Sequence, residues 1–458
     1  MSAPRRRVAI VGAGPAGAYA AGQLLASRQR PEVDLFERLP TPWGLLRGGV
    51  APDHQEIKAL DKLFEEEVMR PGCRFFGNVE LGTDITHDDL LRHYSAVIYA
   101  VGAQTDKSLG IKGEDLPGSL PATDFVGWYN GHPDRRALAP DLNVRRAVII
   151  GNGNVAADVA RVLTRDVTEL ERTDIADHAL AALRESTIEE VVVLGRRGPA
   201  QAAFTNAELR ELGHMDGVGL RVAPEEIELD ALSQEWLDGE ASFTARQNVK
   251  LLSEFAQRPA GDAARRIELR FLRSPVAILG DARVEAIEVA RNELYRDDGG
   301  AIRARSTEGV ETIECGLILR SVGYRAVPLP GVPFDERNYV LPNERGRVLD
   351  AASGRPAPGV YAVGWIKRGP TGILGTNKRD AAETVACLIE DLDAGAVPDP
   401  PHAGAASIDA LLAERKPGHV TFDGWRAIDR HEVDRGRTDD RPRVKLSDPD
   451  ELIAAAGG

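Results

Sequence analysis

Two glycine-rich turns have the residue types and spacing needed to hold nucleotide phosphates. Residues 12–17 read GAGPAG, which fits GxGxxG, and residues 151–156 read GNGNVA, which fits GxGxxA. In such a turn, the glycines permit a tight bend and let a pyrophosphate approach the backbone, while free N–H groups at the next helix start face the phosphates. The sequence therefore predicts two dinucleotide sites.

The residues that follow each turn differ in charge. Glu37 follows the first turn at the usual spacing of about 20 residues, where a carboxylate accepts hydrogen bonds from ribose hydroxyls. Arg196 and Arg197 occupy the corresponding place after the second turn. Arg196 lies further along the chain than usual, after a segment that resembles an inserted helical excursion. Because arginine binds phosphate bidentately and an acid would repel it, the second site is predicted to take NADP and not NAD.

The elements around the turns must place them at the ends of strands. Residues 7–11, 15–27 and 33–37 predict strand, helix and strand, and residues 146–163 with 191–197 repeat the pattern. Further strands are predicted at 97–102, 317–323 and 360–364, with a helix after the last. The expected fold class is therefore α/β, with two doubly wound, Rossmann-like dinucleotide-binding domains in a glutathione-reductase-like arrangement.

We predict that the second domain is inserted into the first. The FAD-binding domain would comprise residues 1–106 and 324–400, and the NADP-binding domain would comprise 107–323, with hinge strands near 103–107 and 321–328. Residues 401–458 are polar and rich in proline, arginine and aspartate. We expect them to form a peripheral C-terminal extension.

Composition excludes several classes of function. The chain has 458 residues and a formal net charge of −14, which argues against a nucleic-acid binder. Its three cysteines, Cys73, Cys315 and Cys387, are far apart in sequence, so a CxxC redox pair and a cysteine-rich iron–sulfur or zinc site are not expected. No metal site, membrane span or leader is predicted, and we expect a cytoplasmic monomer or weak oligomer.

Four segments resemble the adrenodoxin reductase type of ferredoxin–NADP reductase. They are TPWGLLRGGVAPDH (41–54), GNGNVAADVAR (151–161), GRRGPAQAAFTNAELREL (195–212) and VGWIKRGPTGILGTNK (363–378). The resemblance extends to about residue 400. It implies an oxidoreductase of the EC 1.18.1 class, a flavoprotein that uses FAD and NADP in electron transport with a ferredoxin as partner.

The resemblance also implies site residues. For FAD these are Gly12, Gly14, Ala16, Gly17, Glu37, Leu45, Leu81, Trp365, Gly372, Ile373 and Leu374. For NADP they are Asn152, Gly153, Asn154, Val155, Arg196, Arg197 and Glu208, with Gly372 near the nicotinamide. Trp365 replaces the acid that many two-dinucleotide flavoproteins carry. Lys107 is also expected to contact a cofactor, since it stands where this branch has an arginine, although a lysine binds phosphate less specifically.

The cofactors themselves carry out hydride transfer, so no nucleophile is required of the protein. The candidate catalytic residues are His54 and Glu211, which we expect to pair and either position the nicotinamide or tune the flavin. Two structural alternatives are equally open. His54 could cap the helix that starts in PDHQEIKAL, and Glu211 could be an exposed helix residue.

Without a cysteine pair, a flavin that accepts two electrons is predicted to release them singly to an external carrier. A basic patch that includes Arg210 would receive an acidic ferredoxin. Three other functions were considered: an NADPH-dependent flavin oxidase or monooxygenase, a non-catalytic FAD- and NADP-binding sensor, and an electron-input subunit of a glutamate synthase. The last of these would need cysteine clusters that the sequence lacks.

Overall fold

The computed structural model describes residues 6–259, 262–372, 374–402 and 404–457. None of the helices in these ranges is long and apolar enough to cross a membrane. The strands are β1 (Arg7–Val11), β2 (Glu32–Phe36), β3 (Cys73–Phe76), β4 (Ala96–Tyr99), β5 (Thr105–Asp106), β6 (Ser119–Pro121), β7 (Arg146–Ile150), β8 (Glu190–Leu194), β9 (Val218–Val222), β10 (Arg265–Arg270), β11 (Arg273–Leu279), β12 (Ala286–Arg296), β13 (Ile302–Glu314), β14 (Leu317–Arg320), β15 (Tyr324–Arg325), β16 (Asn343–Glu344), β17 (Arg347–Leu349) and β18 (Pro356–Ala362).

The α-helices lie between and after these strands. They are α1 (Pro15–Ala26), α2 (Leu45–Gly48), α3 (Gln55–Lys58), α4 (Asp61–Val68), α5 (His87–His93), α6 (Ala122–Tyr129), α7 (Asn154–Thr164), α8 (Val167–Leu170), α9 (Asp177–Arg184), α10 (Asn206–Leu212), α11 (Ala231–Asp238), α12 (Phe243–Ala256), α13 (Trp365–Arg368), α14 (Leu374–Asp393), α15 (Ala405–Arg415), α16 (Phe422–Thr438) and α17 (Pro449–Ala455).

The first sheet has the strand order β16-β17-β18-β4-β1-β2-β3. The strands from β18 to β3 are parallel, and β16 and β17 add an antiparallel edge. β1 is buried along its whole length because parallel strands are covered on both faces. Its inner position places the first glycine turn, which follows it, at the carboxyl edge of the sheet, where nucleotides bind in such folds.

The second sheet has the order β6-β14-β7-β8-β10-β9, and all its pairings are parallel. The second glycine turn follows β7 in the same way. An antiparallel sheet, β11-β12-β13, packs its apolar side chains on one face of this second sheet. The expected α/β fold with two doubly wound Rossmann-like units is therefore confirmed.

Two short strands connect the chain segments around these sheets. β5 and β15 pair antiparallel, with Tyr324 opposite Asp106 and Arg325 opposite Thr105. They lie in the two segments where hinge strands were expected. The strands of the first sheet precede and follow those of the second in sequence, which suits an inserted domain, although the boundaries at residues 106, 323 and 400 stay a prediction.

The C-terminal segment is not peripheral, and that expectation was wrong. Trp425 and Ile428 on α16 are buried in the core beside α1 and α4, and Trp425 packs edge-on against Trp43. Ile408 and Leu412 on α15 are buried in the core on the opposite face of the first sheet. The polar composition concealed these apolar side chains because they occupy only one side of each helix.

Candidate functional site

A cavity of about 660 Å³ opens at the carboxyl edge of the first sheet. This volume lies within the range of roughly 300–1,000 Å³ that is common for small-molecule and cofactor sites. The residues predicted to bind FAD that line it are Gly12, Gly14, Ala16, Glu37, Leu45, Leu81, Trp365 and Gly372. The structure thus brings together side chains from distant parts of the chain.

The first glycine turn forms the floor of this cavity. Gly12 has φ +106°, and a Cβ there would lie 2.6 Å from the carbonyl oxygen of Ala100. A Cβ on Gly17 would lie 2.0 Å from the carbonyl oxygen of Gly12, so this glycine lets α1 pack closely on β1 and does not line the cavity. Gly14 is open, since a Cβ would meet only the Cα of Gly44, at 3.8 Å. A pyrophosphate can therefore approach the backbone at Gly14.

Glu37 stands directly after β2 with its carboxylate fixed by the backbone. One oxygen accepts a hydrogen bond from the N–H of Ala13 at 2.9 Å, and the other accepts from the N–H of Leu39 at 3.1 Å. Burial raises the pKa of Glu37, although these hydrogen bonds oppose the effect. The oxygens retain lone pairs that suit the hydroxyls of a ribose.

The opposite wall of the cavity is aromatic. The rings of Trp365 and Tyr324 lie 5.2 Å apart between centroids at 48°, and both residues line the cavity. Gly372 lines it as well, at φ +81°. Ile373 lies outside the described residues. Leu374 begins α14, and its side chain is also outside the described part of the structure.

The polar atoms around the cavity fit a bound dinucleotide. Among the described residues, the hydroxyl of Thr123 and the Nδ2 of Asn130 have no hydrogen-bond partner although both are buried, and both residues line the cavity. Buried polar groups are seldom left unpaired, so these atoms suit a ligand with acceptor and donor groups of its own. Together with the open Gly14 and the fixed Glu37, they make the cavity suitable for FAD.

The second glycine turn repeats the geometry of the first. Gly151 has φ +128°, and a Cβ there would lie 2.1 Å from the carbonyl oxygen of Ser321. Gly153 precedes α7, and a Cβ there would meet only the Cβ of Ala203, at 3.9 Å. The Nδ2 of Asn152 is buried and has no hydrogen-bond partner in the part of the chain that the structure describes. The open glycine and the unpaired donor are suitable for the phosphates or the amide of a second nucleotide.

The next two residues at this turn belong to the start of α7. Asn154 is the first residue of the helix, and its Oδ1 accepts a hydrogen bond from the N–H of Thr205 at 2.8 Å. Val155 follows, half-buried. The side chain of Asn154 therefore fixes the loop over the turn, while the N–H groups at the helix start stay available to an anion.

Arg196 and Arg197 follow β8, and among the described residues neither forms an ion pair. Arg196 is exposed and Arg197 is half-buried beside a cavity of about 550 Å³, which Arg303 also lines. Burial lowers the pKa of Arg197, and the positive charges of Arg196 and Arg303 add to this effect. Arg303 pairs with Asp297, whereas Arg196 and Arg197 have no acidic partner among the described residues, so these two guanidinium groups are suited to a phosphate.

His54 and Glu211 form the pair that the sequence predicted. The Nε2 of His54 lies 3.0 Å from Oε2 of Glu211, so a residue just before α3 contacts one on α10. His54 precedes α3 without capping it through its side chain. Neither residue lines one of the two cavities described above.

A fully buried arginine, Arg161, lies at the centre of this cluster. Its guanidinium donates to Asp53 at 3.0 Å, to Glu208 at 2.6 Å and to Asp158 at 2.8 Å. Arg165, directly after α7, donates to Glu211 at 3.1 Å. Glu208, which was expected to contact NADP, is thus held by Arg161 in this structure.

The charges of the cluster shift its pKa values. Burial lowers the pKa of His54, but the hydrogen bond to Glu211 and the nearby acids outweigh it, so the net shift is upward. The hydrogen bond from His54 lowers the pKa of Glu211. Burial raises the pKa of Asp158 despite Arg161. The His54–Glu211 pair is therefore stabilised in its charged form.

Three side chains of the cluster have the spacing of metal ligands. Ligand atoms of His54, Glu208 and Glu211 lie within 4.8 Å of one another. The Nη2 of Arg161, however, lies 2.8 Å from the Nε2 of His54. A cation would have to displace the guanidinium, so this geometry favours the arginine over a metal ion.

Lys107 is not brought to the other predicted residues. It is exposed beside the strand pair β5–β15, its backbone N–H donates to the carbonyl of Gly323 at 3.1 Å, and it lines neither cavity.

Sequence reasoning missed Arg161, Asp53 and Asp158. The signal available was local, since Asp158 and Arg161 lie three residues apart on the helix after the second glycine turn and so share a face.

Comparisons with known proteins agree with this geometry. The model of the family described as pyridine nucleotide-disulphide oxidoreductase matches residues 6–192. The chain is 50% identical to the NADPH-ferredoxin reductase FprA of Mycobacterium leprae over 98% of each chain. It is 43% identical to the mitochondrial NADPH:adrenodoxin oxidoreductase of Bos taurus, covering 98% of this chain and 92% of that protein.

Its fold superposes on the solved structure of Mycobacterium tuberculosis FprA in complex with NADPH with a TM-score of 0.93. The two chains are 47% identical, and the match covers 99% of this chain and 100% of the other. Fold, cavities and similarity over the whole chain agree: the chain belongs to the ferredoxin–NADP reductases of the adrenodoxin reductase type, as its sequence motifs predicted.

Proposed function

We propose that this protein is an FAD-dependent oxidoreductase that moves electrons between NADPH and a ferredoxin-type iron–sulfur protein, an activity of the EC 1.18.1 class. The observation that carries the proposal is the contrast between two glycine turns. Glu37 stands beside the first, and the unpaired Arg196 and Arg197 follow the second. Its similarity over nearly the whole chain to an NADPH-ferredoxin reductase and to an NADPH:adrenodoxin oxidoreductase supports the proposal.

The residues that line the larger cavity would hold FAD. Gly14 and the start of α1 would face its pyrophosphate, and Glu37 would accept hydrogen bonds from its ribose. Trp365 and Leu81 would exclude water from the ring system, since both line the same cavity. The chemistry that FAD supplies when bound is hydride acceptance from NADPH and single-electron release.

The second glycine turn would hold NADPH. Asn152, Gly153, Asn154 and Val155 would contact its phosphates through backbone N–H groups and the free Nδ2 of Asn152. Arg196 and Arg197 would bind the 2′-phosphate, because no acid among the described residues neutralises them. Glu208 would contribute only if Arg161 released it.

His54 and Glu211 would act as positioning residues. The Nε2 of His54 lies 3.0 Å from Glu211 and 2.8 Å from the Nη2 of Arg161, so it can donate to the ionised carboxylate or accept from the guanidinium, according to its protonation. We expect this charged pair to orient the nicotinamide end of NADPH or to set the charge near the flavin. It reaches neither cavity in the structure, so its effect would pass through its neighbours.

The cysteines argue against a thiol relay. Burial raises the pKa of Cys73 and that of Cys315 to about 12 each, and Cys387 is also buried with a raised pKa. A thiol reacts as a thiolate, so none of these groups is activated at neutral pH. Electrons would therefore leave the flavin for an external one-electron carrier and not for a disulphide of this chain.

Arg210 offers a contact for that carrier. It lies on α10 next to Glu211, is exposed, and has no ion-pair partner among the described residues. A ferredoxin with an acidic surface would find a free guanidinium close to the His54 cluster. We also propose a cytoplasmic location and a monomeric or weakly associating state, both of which stay predictions.

The test is an anaerobic NADPH titration followed by visible absorption. The purified protein should be yellow, its flavin bands should bleach with NADPH, and a purified ferredoxin should then be reduced catalytically, with ferricyanide as the control acceptor. Rapid oxygen consumption without a carrier would instead favour an oxidase. Protein without flavin, and unable to take it up, would contradict the proposal.

A further inference from the structure

Asn130 lies directly after α6, in the part of the chain expected to bind NADP, yet its side chain borders the larger cavity. It is 1% exposed and lines the space assigned above to FAD. None of the sequence motifs includes it. The hydrogen bonds made by its amide oxygen and its amide nitrogen differ, and this difference determines which of the two groups can bind a ligand.

The Oδ1 of Asn130 accepts two hydrogen bonds from buried amines. The Nζ of Lys58 lies 3.0 Å away, and the Nζ of Lys445 lies 3.2 Å away. An ammonium group only donates, so the amide oxygen must face Lys58, and Lys445, whose pKa is lowered by burial, donates an N–H to the same oxygen. A flipped amide would point its own N–H groups at Lys58 and is therefore excluded. The orientation of Asn130 follows from its partners.

The two lysines are themselves held in place. Oδ2 of Asp174 accepts from Lys58 at 2.9 Å and lies 2.8 Å from the Nζ of Lys445, and its Oδ1 accepts from Gln55 at 3.1 Å. Burial would raise the pKa of Asp174, but the two lysines outweigh it and hold the pKa well below its usual range. The carboxylate therefore stays ionised and keeps both amines in position.

The Nδ2 of Asn130 has no hydrogen-bond partner among the described residues, although it is buried. We propose that Asn130 binds the flavin cofactor, with Nδ2 donating a hydrogen bond to an acceptor oxygen of FAD, and that Lys445 positions it. This inference rests on the proposed function, because it assumes that FAD occupies the cavity. It extends the site to a residue that neither glycine turn supplies.

The proposal gives the C-terminal segment a role in cofactor binding. Lys445 belongs to that segment, and its Nζ also donates to the carbonyl oxygen of Arg47 at 3.3 Å. Leu446 and Leu452, on either side of the start of α17, line the same cavity. The segment thus closes one side of the flavin site and orients the donor within it.

The first experiment compares Asn130→Asp with the wild type. Aspartate keeps the acceptor for both lysines but replaces the N–H donor with an oxygen, so folding is retained and the contact to FAD turns repulsive. Dilution of the full-length holoenzyme with flavin fluorescence as the readout should show FAD bound at least about tenfold more weakly, the usual effect of leaving a buried polar group mispaired. Asn248→Asp is the matched control.

Asn248 is also buried, but its amide is paired with protein groups at both ends, and it lies outside the cavity. Its substitution should leave FAD affinity within about twofold of wild type. If Asn130→Asp fails to fold by circular dichroism, Asn130→Ala takes its place with the same expected loss. Unchanged FAD affinity in a folded Asn130 variant would overturn the inference while leaving the proposed function intact, whereas a wild type without flavin affinity would contradict the proposed function itself.

A double-mutant cycle tests the positioning role of Lys445. Lys445→Met should weaken FAD binding several-fold in the wild-type background and have little further effect when Asn130 is already alanine, because its influence passes through that amide. Equal, additive losses in both backgrounds would show that Lys445 has only a structural role, and that part of the inference would then be wrong.

Discussion

The NADPH preference should depend on two neighbouring arginines. Arg196 and Arg197 follow β8 without an acidic partner among the described residues, and the positive charge of Arg303 stands near Arg197. We predict that Arg196→Ala and Arg197→Ala each reduce kcat/KM for NADPH while leaving kcat/KM for NADH nearly unchanged, because NADH has no 2′-phosphate.

The magnitude follows from the chemistry of one charged hydrogen bond. A hydrogen bond to a charged group contributes about 1.5–3 kcal/mol, and about 1.4 kcal/mol corresponds to a tenfold change. Each single variant should therefore lose about 10- to 150-fold in kcat/KM for NADPH. Stability should not fall, since no ion pair is broken and repulsion between neighbouring guanidinium groups is relieved.

The assay is steady-state reduction of ferricyanide with each nucleotide in turn. Arg283→Ala is the matched control, since Arg283 is also in the part of the chain expected to bind NADP, its side chain is 69% exposed, and its contact with Asp141 is long, at 3.6 Å. Arg283→Ala should leave kcat/KM for NADPH and kcat/KM for NADH unchanged. A loss of less than about threefold with NADPH, or an equal loss with NADH, would show that the 2′-phosphate is bound elsewhere.

Three further perturbations test other parts of the structure. Gly12→Ala should abolish flavin retention, because the new Cβ would lie 2.6 Å from the carbonyl oxygen of Ala100, and the flavin absorbance of the purified protein measures this. In Glu211→Gln, the loss in Tm should be largest below the ordinary pKa of histidine and diminish as pH rises through the raised pKa of His54, as thermal melts across pH would show. Glu432→Gln should cost about 3–5 kcal/mol in chemical denaturation, because Glu432 is a fully buried carboxylate paired with two arginines; a change under 1 kcal/mol would contradict this.

The sequence allowed the local parts of this fold to be predicted. The strand before each glycine turn, the helix after it and the position of Glu37 follow from short-range signals, so they agree with the structure within a residue or two. Prediction and structure agree best where a glycine needs a positive φ next to a buried strand, because few other residues tolerate that backbone conformation.

The parts that were missed depend on contacts between distant segments. Trp425 is buried against Trp43, almost the whole chain away, and nothing in a polar, proline-rich tail marks that contact. Asn130 belongs to no motif and becomes distinctive only when Lys58 and Lys445 meet its oxygen. Such residues could not be identified from spacing, since their chemistry arises from tertiary structure.

The same distant contacts bear on how the two nucleotide sites face each other. Asp53 and His54 come from the part of the chain expected to bind FAD, whereas Arg161 and Glu211 come from the part expected to bind NADP. Removing one partner from a buried charge pair costs about 3–5 kcal/mol. A rotation that separated these segments would break several such pairs at once and would incur this cost for each pair. Lys58 and Asp174 form a second buried pair between the same two parts.

A large opening of the two parts is therefore disfavoured, and the two nucleotide sites are held in one relative arrangement. Preorganisation of this kind reduces the entropic cost of aligning two reacting rings. The buried charges around Arg161 join the two parts of the chain in the same way, which suits a hydride donor and acceptor that need a fixed distance more than they need an acid or a base from the protein. Substitution of His54 should therefore reduce nucleotide affinity less than substitution of Arg161, whose guanidinium joins both parts of the chain.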